Sequence, residues 1–385
     1  MALATIIRGG EIFAPKALGE SDILCIGERI VKIGDVDEKS VRDLGLEVQI
    51  LDASDCFAFP GFIDPHEHII GGSGERGFAS RSPQITLPEI VLGGITTVVG
   101  CIGTDIYSRN MQALLAQARE FNEEGITAFI YSGGYSIPPS TLTGNVRNDM
   151  VLIPEVIGAG EMAISDLRGS HPTSWEIARV VADCYVGGTL TGKAGITHFH
   201  IGDGKAMLDP LIEIFEKHSV DKASVYPTHV NRNDPLLKQA ATLSQKGHVC
   251  DMDTTDEKMT EELQKFVDWG GDLNNLTLST DASHTSPQTL WQEVVKVHNS
   301  LGWGWEKILP LITTNPARIL KFSKKGRLAV DADADITMID KRTLSVKHVL
   351  ARGKIFVRDS EFIPRLKCMM DSNRKIELHG QKKEG

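Results

Sequence analysis

The amino-acid sequence predicts an α/β protein, a (β/α)8 TIM-like barrel with a small β-sandwich domain formed by the N- and C-terminal segments. Through the middle of the 385-residue chain, short apolar runs alternate with longer amphipathic ones. This alternation is typical of parallel strands joined by helical crossovers. Both ends of the chain instead carry short apolar runs interrupted by glycine, which favour strands and turns. A doubly wound open sheet is the structural alternative for the central part.

The predicted β-domain is divided between the two ends of the chain. Residues 1–56 form its first part, in which runs such as residues 22–27 predict short strands. Residues 323–385 form its second part and a polar tail, with a similar run over residues 354–357. Because these segments flank everything else, we expect them to pair with each other. The barrel then occupies residues 57–322.

Eight strand candidates suffice for a (β/α)8 barrel, whose chemistry lies at the carboxyl ends of its strands. The strand candidates cover residues 57–64, 96–100, 128–132, 156–164, 196–201, 224–229, 248–252 and 276–281. The helix candidates between and after them cover residues 111–124, 175–186, 208–217, 234–245, 257–269 and 288–301.

The most informative segment is the apolar run that ends in His66-Glu67-His68. Side chains at positions i and i+2 of a β-strand point to the same face. His66 and His68 can therefore direct two imidazoles to one point at the end of the first barrel strand. Imidazole is a common ligand of zinc and similar ions. Two such histidines alone are more often surface residues, but suitable partners later in the chain favour a metal site.

Further polar side chains lie in or after four later strands. Glu161 lies in the fourth strand, and His200, His229 and Asp281 lie at the ends of the fifth, sixth and eighth. With the first two histidines they would converge on one rim of the barrel. A site for two divalent ions needs about this number of histidine and carboxylate ligands, with one carboxylate bridging the two ions. We count His198, on the same strand face as His200, as an outer partner or a packed residue and not as a ligand.

This ligand set predicts metal-assisted hydrolysis, with amides as plausible substrates. Two bound ions lower the pKa of a shared water, so that hydroxide exists near neutral pH, and one of them polarises the scissile carbonyl. A neighbouring carboxylate orients the water, takes its proton and later protonates the leaving amine.

The order of these ligands resembles that of the amidohydrolase superfamily. Several motifs, spread over nearly the whole chain, are similar to those of bacterial isoaspartyl (β-aspartyl) dipeptidases. They are Gly71-Gly72-Ser73-Gly74-Glu75, Gly103-Thr104-Asp105, Gly133-Gly134-Tyr135, Ile164-Ser165-Asp166-Leu167-Arg168, Pro227-Thr228-His229-Val230-Asn231-Arg232-Asn233 and Leu278-Ser279-Thr280-Asp281.

The resemblance implies a role for each ligand candidate. His66 and His68 would bind one metal ion, and His200 and His229 would bind the other. Asp281 would bind metal and serve as the general acid/base. The cofactors implied are two divalent metal ions, with zinc as the first choice.

The resemblance also implies a set of residues that binds the substrate. Glu75 would hold the free α-amino group of an isoaspartyl dipeptide, and Arg168 and Arg232 would hold its carboxylates, to which guanidinium groups bind in a bidentate manner. Tyr135 would donate a hydrogen bond to the scissile carbonyl oxygen as negative charge develops there. Thr104 would contact the substrate through its loop.

The chain departs from the family pattern at two positions. The better-known members use a carboxylated lysine as the bridge, where this chain has Glu161, and no lysine lies between Gln112 and Met162. A glutamate supplies the same carboxylate from a shorter stem, so we expect two metals, with a one-metal site or a salt-bridged Glu161 as alternatives. The family's serine near Asp281 corresponds to Thr285, which by the resemblance would contact the substrate; it keeps the hydroxyl but adds bulk, which bears on substrate preference.

The composition narrows the possible partners and the compartment. A net charge of -10 argues against a broad nucleic-acid-binding surface. Six scattered cysteines without a Cys-x-x-Cys pair suggest neither a disulfide framework nor a zinc ribbon. Because the sequence has no recognisable signal peptide and no membrane span, we expect a cytoplasmic protein without a membrane partner. The resemblance implies a homo-oligomer with a small dipeptide substrate.

Three functional hypotheses follow from the sequence. The first is an isoaspartyl dipeptidase, and the second is another amidohydrolase, such as a cyclic-amide hydrolase or an N-acyl-amino-acid deacylase. Glu75 discriminates between them, because it suits a substrate with a free amine and not an N-acylated one. The third is a non-catalytic scaffold on the same fold, which the competent residue at every expected ligand position disfavours.

Overall fold

In the computed structural model, which describes residues 4–370, eight parallel strands form a barrel and nine others form a flanking sheet. In chain order the strands are β1 (Ala4–Phe13), β2 (Ala17–Ile26), β3 (Arg29–Ile33), β4 (Val48–Asp52), β5 (Cys56–Pro60), β6 (Phe62–Glu67), β7 (Ile95–Gly100), β8 (Thr127–Ser132), β9 (Val156–Ile164), β10 (Ile196–Ile201), β11 (Val225–Thr228), β12 (Cys250–Asp253), β13 (Leu276–Ser279), β14 (Ile336–Asp340), β15 (Val346–Ala351), β16 (Lys354–Arg358) and β17 (Glu361–Phe362). The barrel consists of β6 to β13.

Helices connect the barrel strands, and their ends carry recognisable signals. The α-helices are α1 (Glu38–Asp43), α2 (Leu87–Leu92), α3 (Met111–Glu124), α4 (Val146–Leu152), α5 (Ser174–Thr191), α6 (Asp209–Lys217), α7 (Asp234–Ser244), α8 (Met259–Asp268), α9 (Thr289–Leu301), α10 (Trp305–Ile308), α11 (Thr314–Ile319) and α12 (Lys367–Met370). The longest, α5, begins with a capping box between Thr173 and Glu176 and ends at Gly192. Within residues 4–370, no helix is long and apolar enough to cross a membrane.

Backbone hydrogen bonds close the eight strands into a barrel. Strands β6 to β11 form one parallel sheet in chain order, and β12 pairs in parallel with β13. The Val230 N–H donates to the carbonyl oxygen of Asp251 at 3.3 Å, which joins β11 to β12. The Asp281 N–H donates to the carbonyl oxygen of His66 at 3.1 Å, which joins the end of β13 to β6. The TIM-like barrel with an additional β-domain is confirmed.

The strand predicted over residues 57–64 is two strands that belong to different sheets. β5 pairs with β1 and β14 in the flanking sheet, whereas β6 begins the barrel. Gly61 separates them at a tight crossing, where a Cβ atom would lie 2.2 Å from Thr96 Oγ1. The sequence does not reveal this break, because both strands are buried and together form one uninterrupted apolar run. Residues 57–60 therefore belong to the flanking sheet, and the barrel begins after Gly61 and not at residue 57.

The flanking sheet joins the two ends of the chain, as the sequence predicts. β5 pairs antiparallel with β14 from Cys56 to Pro60, and β1 pairs with β2, β4 and β5. Its apolar side chains form a core of their own, which includes Ile7, Ile12 and Ile336. The C-terminal strands are thus held against the N-terminal ones beside the first barrel strand.

A buried ion cluster lies where the chain passes from the flanking sheet into the barrel. Lys325 Nζ is 2.9 Å from Asp333 Oδ2 and 2.5 Å from Asp335 Oδ2. The carbonyl of Asp335 also accepts the Gly61 N–H at 2.8 Å. Lys325→Met would leave Asp335 buried without its cation, so we expect the free energy of unfolding to fall by about 3–5 kcal/mol in chemical denaturation.

Lys324 offers a matched control for this prediction. It is the neighbouring lysine, and it pairs with Asp331 on the surface. Lys324→Met should change the free energy of unfolding by no more than about 1 kcal/mol. Equal losses in the two variants would contradict a special role for the buried pair.

Candidate metal centre

The carboxylate of Glu161 lies among four imidazoles at the carboxyl ends of the barrel strands. Its Oε1 is 3.3 Å from His68 Nε2, and its Oε2 is 3.1 Å from His200 Nδ1. The same Oε2 is 3.6 Å from His66 Nε2 and 3.6 Å from His229 Nε2. All five side chains are buried. The structure therefore brings together residues from four strand ends that the sequence separates by more than 160 positions.

Asp281 completes the cluster from the opposite side. Its Oδ1 is 3.0 Å from His68 Nε2 and 3.3 Å from His66 Nε2. Asp281 and His229 both follow the ends of their strands with positive φ angles, 48° and 61°. Such angles are uncommon for residues other than glycine, and they concentrate at functional sites. Here the positive φ angles occur where the backbone turns after β11 and β13, at the two residues that are ligand candidates.

Three of the four histidines have an outer partner on their second nitrogen. His66 Nδ1 is 2.8 Å from His198 Nε2, and His198 Nδ1 in turn faces the carbonyl of Tyr226 at 3.0 Å. His229 Nδ1 is 2.7 Å from Asp253 Oδ2. His200 Nε2 is 3.0 Å from Asp166 Oδ2. His198 is thus an outer partner, one of the two possibilities left open by the sequence. Partners of this kind orient metal-binding imidazoles.

Both central carboxylates are held in their ionised form. Burial opposes ionisation of Glu161, yet the charge of His66 and the hydrogen bond with His200 hold its pKa well below the usual range. Burial likewise opposes ionisation of Asp281, and contacts with His66 and His68 lower its pKa well below the ordinary value. Ionised carboxylates are the form that binds cations.

The cluster fits divalent metal ions. Its candidate ligand atoms form overlapping groups within 4.8 Å of one another, such as His66/His229/Asp281 and Glu161/His200/His229. His66 Nε2 and His229 Nε2 are fully buried, and among residues 4–370 they have no hydrogen-bond partner. A buried nitrogen without a partner costs about 1–3 kcal/mol. Imidazole nitrogens and carboxylate oxygens are the donors preferred by zinc and its neighbours.

One member of the cluster, Cys101, was not predicted. It directly follows β7 and is fully buried, and its Sγ belongs to a 4.8 Å group with His66, His68 and Glu161. The only sequence signal is its position immediately after the strand candidate over residues 96–100. A single cysteine has no spacing pattern, so that signal is weak.

A cavity of about 470 Å³ opens above the cluster and is lined by charged and hydroxyl side chains. Glu75 lies in its wall, with Oε1 accepting from Thr104 Oγ1 at 2.7 Å and from Arg168 at 2.8 Å. Arg168 also forms a bidentate pair with Asp166, at 2.9 and 2.7 Å. Burial opposes ionisation of Glu75, but the bonds from Thr104 and Arg168 lower its pKa.

Two further predicted residues face this cavity. Tyr135 OH is 2.8 Å from His200 Nδ1, and burial together with the charge of Glu161 raises the pKa of Tyr135 well above 10. Arg232 lines the cavity, and its buried Nε has no hydrogen-bond partner within the described part of the chain. The site thus offers a protonated phenol and an uncommitted guanidinium nitrogen to a ligand.

Ser283 and Thr285 both follow Asp281 in the turn after β13, and only one of these two hydroxyl side chains lines the cavity. Thr285 does not line the cavity, and its Oγ1 lies 3.5 Å from the carbonyl of Thr280. Ser283, two residues closer to Asp281, lines the cavity instead. The turn after β13 decides which hydroxyl faces inward, and side-chain type alone cannot reveal that choice.

Comparisons with known proteins show which family this chain belongs to. The model of the amidohydrolase family matches residues 195–356. The crystal structure of β-aspartyl dipeptidase from the thermophilic, keratin-degrading Fervidobacterium islandicum AW-1 is 36% identical, with a TM-score of 0.89, and the match covers 94% of this chain and 99% of that one. This chain belongs to the β-aspartyl dipeptidase family. It is therefore a hydrolase of the amidohydrolase type.

Two further relatives match this chain over very different lengths. A structure of the same Fervidobacterium β-aspartyl dipeptidase in complex with the β-Asp-Leu dipeptide is 35% identical, with a TM-score of 0.90, and the match covers 95% of this chain and 99% of that one. A dihydroorotase from Clostridium acetobutylicum is 33% identical over 114 residues, but the match covers only 28% of this chain and 24% of that relative.

Beside the cluster, a buried acid supports the loop that follows His229. Asn231 Nδ2 donates to the Asp253 carbonyl at 3.0 Å and to Glu262 Oε2 at 2.8 Å. Burial raises the pKa of Glu262 to about 7 from 4.5. The folded state therefore binds this proton more tightly than the unfolded state does. The resulting stabilisation is present below about pH 4.5 and is lost as the pH rises through 7.

Glu262→Gln keeps an acceptor for Asn231 and removes the buried charge. We expect its melting temperature to exceed that of the parent protein at pH 8, and the difference to shrink as the pH is lowered to 5. The matched control is Glu261→Gln, whose exposed carboxylate pairs with Lys265. A gain of equal size and equal pH dependence in the control would contradict the assignment.

Proposed function

We propose that this protein hydrolyses β-aspartyl (isoaspartyl) dipeptides with two divalent metal ions, zinc being our first choice. One observation carries the proposal: a cluster of five buried metal-ligand candidates and the half-buried Asp281 adjoins a cavity that presents an acid and arginines to a small charged ligand, and His68, His200 and Asp281 line that cavity. Support also comes from the 35% identical relative crystallised with β-Asp-Leu.

In the proposed site the ligands divide as the family resemblance implies. His66 and His68 would hold one ion, His200 and His229 the other, and Glu161 would bridge them. Bound divalent ions would lower the pKa of water and polarise the scissile carbonyl. The two oxygens of Glu161 face different histidines, Oε1 toward His68 and Oε2 toward His200, which supports a bridge over a single-ion site.

Asp281 is the proposed general acid/base. It is ionised, it contacts both His66 and His68, and it lines the cavity. From this position it orients the attacking water, takes its proton, and returns the proton to the leaving amine. Tyr135 stays protonated at neutral pH and is proposed to donate a hydrogen bond to the carbonyl oxygen as charge develops there.

The substrate's charged ends match the cavity's charged groups. Glu75 would take the free α-amino group. We assign a carboxylate of the substrate first to Arg232, because its Nε has no partner within the described residues. Arg168 is already engaged by Asp166 and Glu75, so we propose that it orients Glu75 and contributes charge to the carboxylate site.

Two smaller contacts complete the substrate site. The Thr104 hydroxyl donates to Glu75, and we propose that Ser283, which lines the cavity, contacts the substrate where the resemblance implies Thr285. A cytoplasmic location and a homo-oligomeric state remain predictions from the sequence.

The first test compares two isomeric dipeptides. With protein loaded with zinc and verified to contain it, we expect kcat/KM for β-Asp-Leu to exceed that for α-Asp-Leu by about 10²-fold or more, because only the β-linkage places both charged ends correctly. Chelation should abolish turnover and zinc should restore it. Cleavage of neither dipeptide by metal-loaded protein would contradict the proposed substrate and favour another amide.

The second test concerns the proton transfer. Asp281→Asn keeps the side-chain size and an oxygen donor but removes the base. We expect kcat for β-Asp-Leu to fall by about 10²- to 10⁴-fold while metal content by elemental analysis is unchanged. Glu261→Gln, an equally conservative acid-to-amide change at an exposed carboxylate that pairs with Lys265 away from the cavity, is the control and should keep near-parental kcat. A fully active Asp281→Asn variant would rule out the acid/base role.

A further inference from the structure

One of the four proposed ligand histidines has an unusual neighbour on its second nitrogen. The second nitrogens of His66, His200 and His229 face an imidazole or a carboxylate at 2.7 to 3.0 Å. His68 Nδ1 instead lies 3.8 Å from Cys101 Sγ. The thiol therefore occupies the place that the outer partners occupy at the other three histidines.

We propose that Cys101 is a positioning residue that fixes the orientation and tautomer of His68 for metal binding. Nε2 of His68 points at Asp281 and Glu161, at 3.0 and 3.3 Å, so it is the nitrogen turned toward the proposed ions. A metal-binding nitrogen must be unprotonated, which places the ring proton on Nδ1. That N–H then donates to the sulfur of Cys101.

The surroundings of Cys101 supply the rest of this arrangement. Its Sγ lies 3.7 Å from the backbone carbonyl of Glu67, to which the S–H can donate. The sulfur lone pairs are then free to accept from His68. Cys101 is fully buried directly after β7, beside the strand that carries His68, and its own N–H donates to the same Glu67 carbonyl at 3.0 Å. The thiol is thus fixed by the barrel itself.

The alternative is that the sulfur is itself a metal ligand. Its Sγ belongs to the 4.8 Å group formed with His66, His68 and Glu161. However, the contact with His68 is made to Nδ1, whereas Nε2 faces the carboxylates. The sulfur also contacts His66. Its contact with His68 nevertheless lies on the nitrogen turned away from the proposed ions, which favours the outer role.

The inference rests on the proposed metal-dependent function, and its test does not depend on the substrate. Zinc dissociation constants would be measured by chelator competition for the parent protein, Cys101→Ala and Cys101→Ser. We expect about 10- to 100-fold weaker binding in the alanine variant and partial recovery with serine, whose hydroxyl can accept the same proton. Cys184→Ala, which removes a buried thiol on α5 away from the site, should leave zinc affinity unchanged.

Melting of the metal-free proteins separates positioning from a packing defect. Cys101→Ala and Cys184→Ala should lose similar stability without metal, and only the first should also lose affinity. Unchanged affinity in Cys101→Ala would overturn the inference. If that variant loses affinity only in proportion to its stability, and serine gives no recovery, the inference is likewise overturned.

The electronic spectrum of the cobalt-loaded protein tests direct coordination. We expect no sulfur-to-cobalt charge-transfer absorption in the parent protein, and its appearance would overturn the outer role in favour of a thiolate ligand. Turnover of β-Asp-Leu distinguishes the two proposals. If the enzyme is active and Cys101→Ala binds zinc as tightly as the parent protein does, only this inference is overturned. If the protein binds zinc tightly but cleaves no β-aspartyl dipeptide, only the proposed substrate is overturned.

Discussion

The architecture of the site depends on one buried carboxylate, that of Glu161. Its oxygens lie 3.1 to 3.6 Å from nitrogens of His66, His68, His200 and His229. Burying a carboxylate costs several kcal/mol unless cationic or hydrogen-bonding groups surround it. Those groups come from strands β6, β10 and β11, on both sides of β9 in the same sheet. The buried charge of Glu161 is therefore stabilised only when the strands that carry these histidines are assembled in the barrel, so the fold and the site depend on the same contacts.

The two halves of the site are built on different kinds of structure. The proposed metal ligands lie in or directly after strands whose backbones are hydrogen-bonded on both sides, and precise coordination needs that rigidity. The substrate groups Glu75 and Thr104 lie in loops after β6 and β7, and they are oriented by each other and by Arg168. Loops vary in sequence more readily than barrel strands, so this division lets the metal centre persist while substrate preference changes.

The site residues that follow the alternation of a β-strand, or that lie at the end of a strand, could be predicted from the sequence. His66 and His68 follow the two-residue period of a strand, and His200, His229 and Asp281 end apolar runs, so their convergence follows from the barrel. Contacts that depend on turn geometry could not be predicted, such as the position of Ser283 in the cavity wall and of Thr285 outside it. The break at Gly61 was missed because both flanking strands are apolar. The pairing of Arg168 with Asp166, two residues before it, is a local contact that the motif alone does not indicate.

The proposed use of Glu161 as the bridge depends on a close approach between β9 and β10, which pair in parallel. A glutamate stem is shorter than that of a carboxylated lysine, so the backbone of β9 must bring the carboxylate close to the histidines of β10 and β11. Gly160 permits this approach, because a Cβ atom there would lie 2.7 Å from His198 Cβ and 3.0 Å from the His198 carbonyl oxygen. His198 in turn contacts His66, with His198 Nε2 2.8 Å from His66 Nδ1. A side chain at position 160 would therefore press on the residue that orients His66, so the glycine before the proposed bridge and the outer partner of His66 constrain each other.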